Sequence, residues 1–384
     1  MHVFTYVNTM RRKRLVRRPV WLNVAHFLRR NKCHISIFLL IFAPMIKVKL
    51  IPYRPELGTI YHRQTKGHGL TSLDGRYKFF IDEEISDPDF LVVHGKGVRE
   101  ELTCNVSPQN TIFLATEPES VLIYPKDYLR QFGHVCTSQE RTRATGNQQV
   151  HLTPPILPWF IGYKEKGDEV TFSLDYDKLK TMPTPTKTKL ISVISSNKAF
   201  TQGHIDRLRF VEKLKAHFGD EIDVFGRGSN PFDDKWDVIA PYKYHIVIEN
   251  SSQKYYWTEK LADCMLAESF PLYYGCTNIN EYFPRETYEP IDIRKPEEAI
   301  RIIDEQIKSE RFELSQPMLK RAKEKVLDEY NLFEFIARLC DTLDAGLPKE
   351  KVTIMPCKSS ANLKNLWNYT IGRNYYNIKA KLYV

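Results

Sequence analysis

Glu249, Asn250, Ser251, Thr258, Glu259 and Lys260 fall within twelve residues of one another. Two carboxylates, an amide, two hydroxyls and an ammonium can hold the polar parts of a nucleotide. Carboxylates accept hydrogen bonds from ribose hydroxyls, and cations offset phosphate charge. The flanking residues indicate how such a set is held. Ile246, Val247 and Ile248 form a β-branched strand, so Glu249-Asn250-Ser251 sit at its carboxyl end. Thr258 is a good helix N-cap with Glu259 in the first turn, and Leu261, Met265 and Leu266 follow at helical spacing. Pro271 to Gly275 reads as the next buried strand. A strand–helix–strand unit with polar groups beside a helix N-terminus suits a phosphate-bearing ligand.

Other candidates lie elsewhere. Leu190–Ile194 reads as a strand ending in Ser195-Ser196-Asn197, followed by a helix over His204–Phe218 that carries Arg207 and is expected to bury Leu208, Val211, Leu214 and Lys215 along one stripe. Phe113 to Glu119 reads as a strand running into Glu117 and Glu119 around a proline. A glutamate at a strand's carboxyl end can take a proton from an attacking hydroxyl. Asp233-Asp234 is better read as a solvated turn than as a metal site, and no histidines pair at ligand spacing on a helix face.

The order Glu249-Asn250-Ser251, then Tyr256-Trp257-Thr258-Glu259-Lys260-Leu261, then Pro271 to Gly275, resembles the donor-site motif of the α1,3/4-fucosyltransferases, glycosyltransferase family 10. The likeness is good over roughly 189–295 and weak over the first half. It implies a GT-B fold and inverting transfer of L-fucose from GDP-fucose to a glycan hydroxyl, with an α1,3-type linkage and no metal. It also implies roles: Arg207 and Lys260 at the donor phosphates, Glu259 at the ribose, and Tyr256 against the guanine. Glu249 and Asn250 would hold the loop and the donor, Asn197 belongs to the Ser-Asn element before the arginine, and Glu117 would be the general base with Glu119 behind it. Each has a bland alternative. Arg207 could be solvated like Arg209, Glu259 and Lys260 could be an ordinary first-turn acid and an exposed lysine, and Glu117 and Glu119 could be loop carboxylates. Tyr256 could be core, with Tyr255 or Trp257 taking its place. A GT-B enzyme using another nucleotide sugar, and a non-catalytic glycan- or nucleotide-binding homologue, stay open.

The chain has 384 residues, 42% hydrophobic and 27% charged, enough for two α/β cores. Its net charge of +9 comes from nine Arg and Lys in residues 1–44, where there is no acid; the remaining 47 basic residues balance 47 acidic ones. A nucleic-acid binder would carry its basic stripe on the fold. The apolar run Ile35–Ile46 is twelve residues long and holds Pro44, against about 20 needed to span a bilayer. Residues 1–44 are therefore expected to precede the native start or to touch an anionic membrane surface peripherally. Seven scattered cysteines without CxxC argue for a reducing, cytoplasmic setting. The family's animal secretory members carry paired C-terminal cysteines that this chain lacks, so it looks closer to soluble bacterial members that build surface polysaccharide such as lipopolysaccharide O-antigen.

The expected organisation is an acceptor-side α/β domain at 45–157, a proline-rich linker at 158–188, a donor α/β domain at 189–345 and a tail at 346–384 that runs back onto the first domain. Strands are expected at Val48–Tyr53, Phe90–His94, Thr111–Thr116, His134–Thr137, Ile222–Phe225 and Pro290–Ile293, and helix at Tyr124–Gln131, from Pro296, and over 316–345.

Overall fold

The computed structural model describes residues 44–357, apart from 53–57, 82, 145, 167–168, 197–201 and 227–228. Residues 1–43, and with them the basic extension, lie outside the described residues, as does Asn197.

The first half is a six-stranded, wholly parallel sheet. Its strands are β1 (Ile46–Ile51), β2 (Tyr77–Phe80), β3 (Phe90–Gly95), β5 (Thr111–Ala115), β6 (His134–Thr137) and β7 (Gln149–Leu152), in the order β2-β1-β3-β5-β6-β7. β4 (Leu102–Val106) lies outside that sheet. β3 and β5 are buried at every residue. They read as unbroken apolar runs because helices or loops cover both faces of a parallel sheet. A short hairpin, β8 (Tyr163–Lys166) with β9 (Glu169–Phe172), falls in the segment expected to be linker.

The second half is a five-stranded parallel sheet. Its strands are β10 (Lys189–Ile194), β11 (Ile222–Phe225), β12 (Tyr242–Ile248), β13 (Phe270–Tyr274) and β14 (Glu289–Pro290), in the order β11-β10-β12-β13-β14. The chain leaves β10 towards β11 on one side and returns to β12 on the other. That reversal opens a crevice at the carboxyl ends of β10 and β12, where doubly wound sheets bind ligands. The two α/β halves, joined at their carboxyl edges by contacts described below, are the GT-B architecture that the sequence implied.

The helices are α1 (Gly58–His62), α2 (Lys126–Leu129), α3 (Tyr176–Thr181), α4 (Gln202–Phe218), α5 (Lys235–Ile239), α6 (Glu259–Leu266), α7 (Pro296–Lys308), α8 (Arg311–Asp328) and α9 (Leu332–Cys340). Several expectations shift. β14 ends at Pro290, short of Ile293. In α4 the buried face carries Ile205, Arg207, Phe210, Val211, Leu214 and Phe218, while Leu208 is half-buried and Lys215 exposed. The expected stripe was rotated because Arg207 was counted as polar.

The helix expected over 316–345 breaks. Asn331 caps α9 by accepting from the Phe333 amide at 3.0 Å, and its own amide donates to the Gln64 carbonyl at 2.6 Å. From there α9 packs into the first core, where Leu332, Phe333, Ile336 and Ala337 join Val48, Phe79, Phe90 and Ile112. The second core therefore ends near Tyr330 rather than at 345. A last strand, β15 (Glu350–Ile354), pairs antiparallel with β4 on the other face of the first sheet. Among the described residues no helix is long and apolar enough to cross a membrane.

Candidate active site

The motif strand β12 delivers Glu249 to the crevice, and Thr258 opens α6 beside it. The Thr258 amide donates to Glu249 Oε1 at 2.8 Å, and the Thr258 hydroxyl lies 2.9 and 2.8 Å from the two carboxylate oxygens. Lys260 Nζ reaches Glu249 Oε2 at 3.3 Å and Glu259 Oε1 at 3.3 Å. Burial pushes the Glu249 carboxyl up, against the pull of Lys260. Burial also works against the charge on Glu259, yet Lys260 and Lys235 together hold its carboxyl at about 2. On Lys260 burial is outweighed by Glu249 and Glu259, which raise the ammonium above the ordinary lysine range. At neutral pH the crevice thus presents an ionised Glu259 and a fixed ammonium at a helix start whose dipole favours anions.

Gly275 completes this corner. A Cβ there would stand 2.5 Å from Glu249 Cγ and 2.5 Å from the Tyr273 hydroxyl. Glycine is required at that position for lack of space, because the Glu249 stem and the Tyr273 ring fill the volume a side chain would need. Gly226 plays the same part on the neighbouring strand end. Its φ is +137°, and a Cβ would lie 2.0 Å from the Ser195 carbonyl oxygen.

Arg207 is not a solvated helix arginine. It is 6% exposed and directs Nη2 to the Ser196 carbonyl at 3.0 Å and hydroxyl at 3.1 Å. Burial lowers its guanidinium to about 10. It is thereby tied to the carboxyl end of β10, at the crevice.

The three aromatics of the motif separate. Trp257 packs against Tyr282, Phe283 and Tyr330, in the core. Tyr256 is 2% exposed and bonds Asn250 through its hydroxyl, so it has no open face for a purine ring. Tyr255 is partly exposed and sits in the left-handed region, φ +62°, with its amide donating to Asn278 Oδ1 at 2.7 Å.

On the first sheet, Glu117 follows β5 at its carboxyl end. It pairs with Lys96 at 3.2 Å, with 15% of its side chain exposed. Glu119 lies 3.8 Å from Arg141 on a more open part of the same loop. The two edges touch: Gln253 of the motif loop donates to the Ser138 carbonyl, just past β6, at 3.2 Å. Lys254 stands 3.9 Å from Glu140.

Residues 184–309 match the model of the glycosyltransferase family 10 (fucosyltransferase) C-terminal domain. Over that segment the chain is similar to glycosyltransferase family 10. A mouse (Mus musculus) alpha-(1,3)-fucosyltransferase 7 is 28% identical over 149 residues, covering 36% of this chain and 34% of that protein. A Homo sapiens 4-galactosyl-N-acetylglucosaminide 3-alpha-L-fucosyltransferase is 28% identical over 105 residues, 26% of this chain and 29% of that protein. The chain therefore spans about a third of the length of the curated relatives it matches. A solved α1,3-fucosyltransferase is similar with a TM-score of 0.42 at 14% identity, covering 76% of this chain and 93% of that one.

The motif segment carries one residue that the sequence reading passed over. Asp263, fully buried on α6, accepts from the Phe160 amide at 2.7 Å and the Ile161 amide at 3.2 Å, and pairs with Lys235 at 2.7 Å. Asp234 does likewise. It was expected in a solvated turn, but it is 1% exposed, caps α5 through the Trp236 amide at 2.8 Å and accepts from Gly162 at 2.8 Å. Both aspartates grip the linker between the halves. Arg63 grips it from the other side, giving hydrogen bonds to the carbonyls of Trp159, Ile161 and Leu174 at 2.6 to 2.9 Å and stacking over the Trp159 ring at 4.1 Å. A polar residue inside an otherwise apolar helix face was the only sequence signal for Asp263. Among the described residues no group of three or more His, Cys, Asp or Glu could hold a metal ion.

Proposed function

We propose that this protein is an inverting fucosyltransferase that moves L-fucose from GDP-fucose to a hydroxyl of a glycan acceptor, forming an α1,3-type linkage. The reading rests on the family 10 match together with one observation: the Gln253–Ser138 contact joins the two carboxyl edges. In this reading Glu117 works across the crevice from Arg207 and Glu259.

In this reading the acceptor oxygen attacks the anomeric carbon of a β-linked donor as the bond from that carbon to the phosphate oxygen breaks. The hydroxyl proton passes to the Glu117 carboxylate, and GDP leaves. Arg207 and the start of α6 take up the charge that develops on the leaving diphosphate. Lys260 supplements them, though much of its charge is already spent on Glu249 and Glu259. Glu259, ionised down to about pH 2, accepts from the ribose hydroxyls. Glu249 is a positioning residue: both of its oxygens are engaged by Thr258 and Lys260. Asn250 fixes Tyr256, and the guanine lies against Tyr255, the motif aromatic with an accessible face. No divalent metal is called for, since cations of the chain carry the charge. The acceptor is an oligosaccharide or polysaccharide. A cytoplasmic location fits Cys104, Cys136, Cys264, Cys276, Cys340 and Cys357, all free thiols.

The test is GDP release from GDP-fucose, GDP-mannose, UDP-glucose and UDP-galactose. Release from GDP-fucose alone, lost in Arg207→Ala, supports the reading. Release from a different donor, or none with no binding of GDP-fucose by calorimetry, overturns it.

A further inference from the structure

Gln139 has no part in the reaction just described, yet its side-chain amide is turned towards the loop that carries Glu117. It is 3% exposed. Its side-chain amide donates to the Glu117 carbonyl at 2.9 Å and to the Leu122 carbonyl at 2.7 Å, so it staples both ends of the loop that carries the carboxylate. Its own amide is held by the Thr137 hydroxyl at 3.1 Å. The preceding residue, Ser138, supplies the carbonyl that Gln253 donates to.

Gln253 is just as firmly placed in the motif loop. Its carbonyl accepts from the Thr277 amide at 3.3 Å, and it sits three residues after Asn250 and three before Tyr256. One continuous path of hydrogen bonds therefore runs from the nucleotide loop, through the Gln253 side chain and the 138–139 backbone, into the Gln139 side chain and on to the Glu117 backbone. Side-chain amides suit this role because they bond without adding charge, and a charge here would perturb a carboxylate that must ionise.

We propose that Gln139 and Gln253 form a relay that makes the placement of Glu117 depend on the loop that holds the nucleotide, so that the base is in register only when the donor loop is. Both are positioning residues. Among the described residues the Glu117 amide donates to the Tyr124 hydroxyl at 3.4 Å, at the long limit of a hydrogen bond. Tyr124 in turn donates to the Gly95 carbonyl at 3.0 Å. The Gln139 staple is thus the short bond that sets where the Glu117 backbone lies. Displacing a catalytic group by about 1 Å can cost on the order of 10²-fold in rate. A relay of this kind disfavours donor hydrolysis when the loop is open.

The inference rests on the transferase reading for its kinetic arm but not for its structural one. The experiment uses the full chain and the variants Gln253→Ala, Gln139→Met and the double variant. Backbone hydrogen exchange of residues 116–124, without ligand, is expected to quicken about tenfold in Gln253→Ala, although that side chain touches none of those residues. Unchanged exchange there overturns the relay. For turnover, kcat for GDP release from GDP-fucose is expected to fall about tenfold in either single variant while KM changes less than twofold, and the double variant should be no slower than the worse single. Losses that multiply in the double variant overturn it as well. Gln253 is on the surface loop, so its variant folds even if Gln139→Met does not. If the parent protein releases no GDP from GDP-fucose, the transferase reading fails, and the exchange result alone decides the relay.

Discussion

The two sheet edges that face each other are built in opposite ways. The edge of the second sheet is a set of charges locked against one another: Glu249 by Thr258 and Lys260, Glu259 by Lys260 and Lys235, Arg207 by Ser196. Each is supported from beneath by a buried strand or helix. The edge of the first sheet offers Glu117 on a loop, with one ion pair to the half-exposed Lys96. The first arrangement suits a ligand that never varies, since every group can be set before it arrives. The second suits a reaction partner whose shape differs from case to case. On the donor side, substitutions should damage affinity and stability together. On the acceptor side they should damage rate alone.

The largest expected effect tests that contrast directly. Glu117→Gln should lower fucosyl transfer by about 10²–10⁴-fold, the usual worth of a general base, with GDP affinity within twofold by calorimetry. If affinity falls as far as rate, the contrast collapses. Arg207→Ala should weaken GDP binding by about 10–100-fold, from roughly 1.5–3 kcal/mol per charged contact. A loss confined to kcat would move Arg207 to the chemistry rather than the binding. Asp263→Ala leaves Lys235 without its buried partner and frees two linker amides, so urea denaturation should report about 3–5 kcal/mol of lost stability. Gly275→Ala should cost about 1–3 kcal/mol through the clash with Glu249 and lower GDP affinity in parallel.

A further expected effect concerns pH. Burial lowers the imidazoles of His94 to about 4 and of His245 to about 3, and it also lowers His134 and His151 below the usual 6.5. The unfolded chain then binds more protons than the folded one in that window. Stability is full above about pH 6.5 and falls as acid approaches pH 4, at about 1.4 kcal/mol per unit for each group that separates the two states. Urea midpoints at pH 7.5, 6 and 5 check it. A flat profile would mean these imidazoles are hydrated.

The same asymmetry explains what the sequence made legible. The second sheet and its motif were readable because Ile246–Ile248, the Thr258 cap and Pro271–Gly275 are local signals, each decided within a few residues. The roles of Asp234, Asp263 and Arg63 were not, because a buried charge looks like a surface one until its partner is known. Their partners in the linker lie from 72 to 111 residues away along the chain. Which of Tyr255, Tyr256 and Trp257 faces outward is set by the left-handed turn at Tyr255, which three consecutive aromatics do not reveal. α9 was assigned to the wrong core because an amphipathic helix does not state which apolar surface it will meet.

The return of α9 and β15 to the first sheet has a consequence for how the molecule is made. The second core draws on residues from Trp159 to about Tyr330, whereas the first needs residues from both sides of that span. On a ribosome the half begun first is the half completed last. Its sheet waits with Val48, Phe79 and Phe90 uncovered until α9 emerges. A nascent chain halted before Asn331 should therefore hold a folded second half beside an unfinished first one, and that interval is when a chaperone has something to bind.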